Sequence, residues 1–563
     1  MSDLDLRPQR AEPLGVLTHG SLLDGVEMKL DAGCSVESVA TGTFAVVQGE
    51  TLDFFCLITD ARIEAANEGI LLNPPPATTP EGALLRRVLH GQSTYATVAL
   101  KPMLALPNTR LDTGDEPPRP VKTVPAHFST VYRAAADDVA RVFGSEARTD
   151  RPYFEVGRPL DMDAAPVCLD LDRFVERSNA VFGRTGTGKT FITRLLLAGT
   201  IARDRASVLV FDAHSEYGWE GTQEAAGGTQ GHVPGLKRLF GSRVVIVTVD
   251  AAHARRRQVP VDLEATLYAD QIEPTDILPL QGTLGLNATA ADSAYLLREK
   301  YGAQWLARLL RAEPAELPMM AEETGAHEGS LSALRRKLVK FNRFGFFSTD
   351  PSKDRRDVLD FIVESIASGK SVVFEFGGVQ DLDAYLLVSG VITRRLRDRY
   401  EDQAVKYQGT KNPADEPRRL LITIEEAHRF LAPGIAHETP FGKIAREMRK
   451  FYVSLLVVDQ RPSAIDDEVM SQIGTRFVAA LSDEKDIAAV LTGVSGASAL
   501  RGILATLDTK QQMLLLGHAM PMPIAVRTRA YDQAFFDAVA PRPSAKAVVQ
   551  MADDFDTGFR SRR

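Results

Sequence analysis

The sequence predicts an α/β protein in which a mostly parallel sheet is covered by helices on both faces, preceded by a small β-barrel and interrupted by a helical subdomain. Three observations lead there. Apolar runs at 179–182, 207–212, 244–249, 371–376, 420–425 and 454–460 alternate with helical stretches, the pattern of strands buried on both faces. Residues 14–100 instead show short period-2 runs, such as 42–47 and 52–59, parted by Gly, Asp and Asn, which marks a small barrel or sandwich. Between the third and fourth buried runs, 288–310 and 329–341 carry apolar residues at helical spacing, so an inserted helical subdomain is expected over 262–360.

With 563 residues the chain exceeds one ordinary domain. It divides into a barrel over 1–125, a first core segment over 126–261, the insertion over 262–360, a second core segment over 361–540 and an aperiodic polar tail over 541–563. The Pro- and charge-rich stretch 107–125 reads as a linker or surface loop, and a helical pattern over 130–143 follows it. A hydrophobic share of 44% and a charged share of 25% exclude collagen-like, coiled-coil and largely disordered classes.

A net charge of -8 gives no global basic footprint, so contact with a polyanion has to be local. The sequence holds no apolar run of 18 residues or more and starts with neither the basic nor the apolar segment of a leader. A cytoplasmic protein without a membrane segment is therefore expected. Cys34, Cys56 and Cys168 lie too far apart for a C-x-x-C pair and are expected to be small buried hydrophobes.

The strongest motif is Gly183-Arg184-Thr185-Gly186-Thr187-Gly188-Lys189-Thr190, between a buried run and the helical stretch 191–202. It fits G-x-x-x-x-G-K-[ST], in which glycines let backbone N–H groups turn in around phosphates at a helix N-terminus. Lys189 is expected to reach the β and γ phosphates of ATP. The Thr190 hydroxyl suits Mg²⁺, a cation that takes hard oxygen ligands.

Such a loop needs carboxylates opposite it. The run Leu420-Leu421-Ile422-Thr423-Ile424-Glu425-Glu426 offers two at a strand end: Glu425 for the metal shell and Glu426 to orient the attacking water as general base. Gln460, closing the last apolar run, is placed to hydrogen-bond the γ-phosphate or the lytic water.

Four ordered segments carry a resemblance. They are Phe211-Asp212-Ala213-His214-Ser215-Glu216-Tyr217, Glu425-Glu426-Ala427-His428, Ile444-Ala445-Arg446-Glu447-Met448-Arg449-Lys450-Phe451 and Val458-Asp459-Gln460-Arg461-Pro462-Ser463. Together they resemble the HerA branch of the HerA/FtsK superfamily, over roughly residues 159–529. The departures are Met448 and Tyr452 where glycine is common and Asp459 where serine is frequent; none removes a catalytic group.

The resemblance implies a RecA-like P-loop NTPase core with a small barrel like that of rotary ATP synthases. It further implies an ATP-hydrolysing homohexameric ring that moves duplex DNA through a central channel. Asp212 joins the nucleotide-binding set on the same ground. It also gives a reason for Arg446 and Arg449: one of them, with Arg449 favoured, reaches a neighbouring subunit's nucleotide as an arginine finger. Such motors work with a partner nuclease or another effector, in end processing or antiviral defence.

Candidate DNA contacts are Lys237, Arg238 and Arg255-Arg256-Arg257. No base-reading motif is present, so no sequence specificity is expected. The competing readings are a conjugation or secretion motor and a nucleotide-gated scaffold for an effector enzyme. A small-molecule kinase is disfavoured by the paired glutamates.

Overall fold

The computed structural model describes residues 13–107, 117–148, 151–160, 162–224, 230–350, 357–494, 496–508 and 510–540; the tail expected over 541–563 lies outside them. The chain divides into two units. The first holds Met1–Lys189, Gln460–Ser463 and Ile473–Arg529, and the second holds Thr190–Asp459, Ala464–Gln472 and Ala530–Arg563.

The first unit opens with β1 (Pro13–Ser21), β2 (Gly25–Leu30), β3 (Phe44–Gln48), β4 (Leu52–Ala65), β5 (Thr94–Pro107), the short β6 (Arg119–Pro120) and β7 (Thr130–Arg133). Six of these close into a barrel in the order β2-β1-β7-β3-β4-β5, with β5 pairing back onto β2. Alternate side chains fill it: Val26, Met28 and Leu30 from β2, Ala45 and Val47 from β3, Cys56 and Ile58 from β4. Cys56 and Cys168 are buried, as expected, whereas Cys34 is half-buried.

The barrel reaches past the expected boundary at 125. Thr130–Arg133, read as the start of a helix, forms β7 between β1 and β3 instead, and the helix begins at Ala136–Phe143. Val131 is fully buried in the barrel core, so the partners on either side override the local helical pattern. The unit continues with β8 (Tyr153–Pro159), β9 (Val167–Asp170) and β10 (Asn179–Phe182).

The second unit holds β11 (Ser207–Asp212), a hairpin of β12 (Glu220–Glu224) and β13 (Gln230–Pro234), β14 (Val244–Thr248), β15 (Leu263–Glu264), β16 (Leu267–Tyr268), β17 (Phe347–Ser348), β18 (Ser371–Glu375), β19 (Leu420–Glu425) and β20 (Val453–Asp459). Its strands run parallel in the order β15-β14-β18-β11-β19-β20. All residues of β14, β18 and β20 are buried, which explains their continuous apolar runs. Four neighbouring strands, β18, β11, β19 and β20, end in Glu375, Asp212, Glu425 and Asp459. Carboxyl ends of parallel strands are where α/β sheets bind ligands.

The insertion is helical, with Ala288–Tyr301, Trp305–Arg311, Leu317–Thr324 and Glu328–Leu338 packed around the fully buried Trp305. Its expected first helix breaks at Gly302, which takes a left-handed φ of 58°. The insertion starts later than 262, because Asp262 accepts the Ile246 N–H (2.7 Å) and Leu263–Glu264 pairs with β14.

The chain then returns to the first unit with β21 (Thr475–Val478), β22 (Gln512–Gly517) and β23 (Ile524–Thr528). There β10 pairs parallel with β21, and β21-β22-β23-β8-β9 continues antiparallel. No helix among the described residues is long and apolar enough to cross a membrane.

Candidate active site

The phosphate loop leaves β10 and enters the helix Lys189–Ala202. Gly186 and Gly188 take φ of 80° and 91°, left-handed values that glycine adopts without steric cost. A Cβ on Gly183 would stand 2.6 Å from Thr187 Oγ1 and 2.8 Å from Ala479 Cβ, so only glycine fits there. Thr187 Oγ1 donates to the Arg184 carbonyl (2.8 Å), and the Lys189 ammonium donates to the carbonyls of Gly183 (2.8 Å) and Arg184 (3.0 Å).

Gln460 meets this loop: Thr185 Oγ1 donates to its Oε1 at 2.7 Å. A cavity of ≈ 490 Å³ is lined by Arg184, Thr185, Gly186, Thr187, Gln460 and Arg461. Arg461 is a cation that the sequence reading had left without a role. A larger cavity of ≈ 600 Å³ borders the barrel at Leu30, Cys34, Ile63, His90 and Tyr95 and shares no residue with the phosphate loop. The smaller one is the candidate phosphate site, because it is lined by the loop that leads into a helix N-terminus.

In the second unit the acids gather. Asp212 is fully buried. Its Oδ1 accepts the N–H groups of His214 (3.3 Å) and Glu216 (3.0 Å), and its Oδ2 accepts that of Tyr217 (2.8 Å). Both oxygens are thus taken by backbone donors, so Asp212 bears on the site by shaping the turn 212–217. The Tyr217 hydroxyl at the end of that turn donates to Glu425 Oε1 at 2.8 Å. Glu425 Oε2 is buried and has no hydrogen-bond partner.

Burial first, then repulsion from Asp212, push the Glu425 carboxyl up to about 8 against the pull of the Tyr217 hydrogen bond. Burial and Asp212 likewise raise Glu375 to about 7, with Arg257 opposing. Carboxyls crowded this far from their ordinary range mark a place built for positive charge. Glu426 follows in a left-handed conformation, φ 49°, a strain of order 1–3 kcal/mol of the kind that gathers at functional sites.

The next contact was not legible in the sequence. Asp459, almost fully buried, accepts both the backbone N–H of His428 (2.7 Å) and its Nδ1 (2.9 Å) through one oxygen. The hydrogen bond that His428 donates to Asp459 is the main cause that raises His428 above its ordinary pKa. A raised folded pKa contributes stability fully below the unfolded histidine value of about 6.5 and loses it as pH climbs through the folded value. Asp459→Asn is therefore expected to lower the melting temperature more at pH 6 than at pH 9; an equal drop at both would contradict the ionic pairing.

The two candidate finger arginines part company. Arg446 is mostly buried, 13% exposed, with its Nε 3.9 Å from Glu468 Oε1. Arg449 is exposed, on the short 3₁₀ turn Met448–Phe451. Met448 is buried with an ordinary φ of -82° and needs no glycine. Tyr452 does take a glycine-like φ of 65°, its ring held between Arg419 and Tyr407.

Three of the basic candidates for DNA have structural work. Lys237 binds the Val244 carbonyl and Asp262, Arg238 pairs with Glu220, and Arg257 pairs with Glu375. Arg255 and Arg256 are exposed.

Residues 154–396 match the family model described as Helicase HerA, central domain. Over that span the chain is similar to HerA. It is 24% identical over 366 residues to the DNA double-strand break repair helicase HerA of Sulfolobus acidocaldarius, an alignment covering 64% of this chain and 66% of that relative. Similarity to the protein of the same name from Pyrococcus furiosus is 23% identity over 428 residues, 70% of this chain and 72% of the relative. Among solved structures, VirB4 of Thermoanaerobacter pseudethanolicus aligns with a TM-score of 0.44 and 15% identity, over 68% of this chain and 97% of that one. The chain is an ATP-hydrolysing enzyme with an α/β P-loop core, an N-terminal barrel and a helical insertion.

Proposed function

We propose that this HerA-like chain works as a homohexameric ring that spends ATP to move duplex DNA through its central channel, in the cytoplasm and together with a partner nuclease or a defence effector. The observation that carries this reading is a complete phosphate loop in a chain whose neighbouring parallel strands end in Glu375, Asp212, Glu425 and Asp459. The similarity to DNA double-strand break repair helicases along most of the chain supports DNA as the track.

In this reading Lys189 and the loop amides hold the phosphates, Glu426 orients the attacking water, and Gln460 reports the γ-phosphate through Thr185. Mg²⁺ fits the donor set. Glu425 Oε2 is a buried oxygen without a hydrogen-bond partner, and Thr190 offers a hydroxyl at the first helical turn. The ion would supply positive charge against that building on the phosphates. Arg449 is the arginine offered to a neighbouring subunit, since it is exposed while Arg446 is mostly buried. Arg255 and Arg256 are available for DNA phosphates, and six copies multiply a few cations into a usable grip.

The test is the mass of the purified protein by light scattering, together with ATP turnover with and without linear duplex DNA. Six chains per particle and turnover that rises with DNA are expected. A ring whose turnover ignores DNA would favour a nucleotide-gated scaffold, and a particle that stays monomeric with ATP would refute the ring.

A further inference from the structure

Glu425 is held from one side only. Its Oε1 accepts the Tyr217 hydroxyl at 2.8 Å while its Oε2 is buried and has no hydrogen-bond partner. A donor on one oxygen fixes the plane of the carboxylate and leaves the other oxygen to be presented to a ligand.

The donor itself is fixed. Tyr217 is fully buried, and its backbone N–H is bound by Asp212 Oδ2. Arg194, also fully buried, lies 5.8 Å from the Tyr217 ring centroid and donates its Nε to the Glu216 carbonyl at 3.0 Å. Arg194 stands four residues after Thr190 in the helix Lys189–Ala202, hence on the same helical face. The turn 212–217 is thereby packed against the helix that carries Thr190 and bonded to the strand that carries Glu425.

We propose that Tyr217, locked by the Asp212 turn and backed by Arg194, is a positioning residue that presents Glu425 Oε2 to the nucleotide-bound divalent cation. The Asp-x-x-x-Glu-Tyr turn then serves metal selection at a distance and does not touch the nucleotide itself. This rests on the reading of Glu425 as the acid on the metal side of the site.

The test measures binding of a fluorescent ATP analogue to the full chain, once in excess EDTA and once in Mg²⁺. Tyr217→Phe removes one hydroxyl and keeps the ring. It is expected to leave the EDTA affinity unchanged and to cut the gain in affinity on adding Mg²⁺ about tenfold, the effect of one hydrogen bond to a charged group. Glu425→Gln is expected to abolish the gain.

If Glu425→Gln loses the gain and Tyr217→Phe keeps it, the positioning role is overturned while the metal-side reading stands. A retained gain in Glu425→Gln overturns both. Asp212→Asn, which disturbs the turn at its base, is expected to reproduce the Tyr217→Phe pattern. It gives the answer should Tyr217→Phe fail to fold, and an Mg²⁺ gain equal to wild type would then count against the proposal.

Discussion

Lys189→Ala is expected to lower nucleotide affinity and ATP turnover by about 10²–10³-fold, the loss seen when one preorganised donor is taken from a phosphoryl or oxyanion site. The glycine conformations and the Thr187–Arg184 hydrogen bond that shape the loop do not involve the lysine side chain. What disappears is the ammonium, which lies within 3.0 Å of two loop carbonyls. Equilibrium binding of labelled ATP alongside steady-state phosphate release checks this. Full turnover in the variant would contradict the site.

Glu426→Gln separates binding from chemistry. The amide keeps the size and the left-handed backbone of Glu426 but removes the base, so turnover is expected to fall about 10²–10⁴-fold with ATP still bound. Nucleotide recovered from the protein after gel filtration should then be ATP and not ADP. Unchanged steady-state hydrolysis would assign the base elsewhere. The same variant tests Arg449: mixed with Arg449→Ala, it should regain part of the activity in heteromeric rings, because a subunit with a good base then faces one with a good arginine. No gain at any mixing ratio would place the arginine's action within its own subunit or remove it from the reaction.

The second unit was readable because its strands are buried on both faces and show as unbroken apolar runs; all six of its sheet strands except the two-residue β15 had been placed to within a residue. The first unit was harder. The barrel strand Thr130–Arg133, between β1 and β3, is followed directly by alanines and aspartates that favour a helix. Nothing local says that Val131 will find a barrel to fill.

The same division holds for the site. Loop residues 183–190 are contiguous, so spacing alone declared them. Tyr217 and Glu425 are 208 positions apart, and no spacing rule joins a tyrosine to a glutamate across such a gap. Asp212 was seen as a site residue, yet its two oxygens proved to be spent on the turn. Arg446 and Arg449 are alike in sequence, and burial sets them apart: Arg446 is 13% exposed, whereas Arg449 faces solvent. Asp459, counted as a departure from serine, gains its sense from His428, whose side chain it binds across the ends of adjacent strands.

The central claim is that one triphosphate is served both by Lys189 and Thr190 and by Glu425 and Glu426. It is tested most directly by an experimental structure of Glu426→Gln with ATP and Mg²⁺. The account predicts phosphates on the Lys189 ammonium, with the Thr190 hydroxyl and Glu425 Oε2 converging on the metal's ligand shell. Density for ATP on the phosphate loop with Glu425 and residue 426 facing another surface would contradict it.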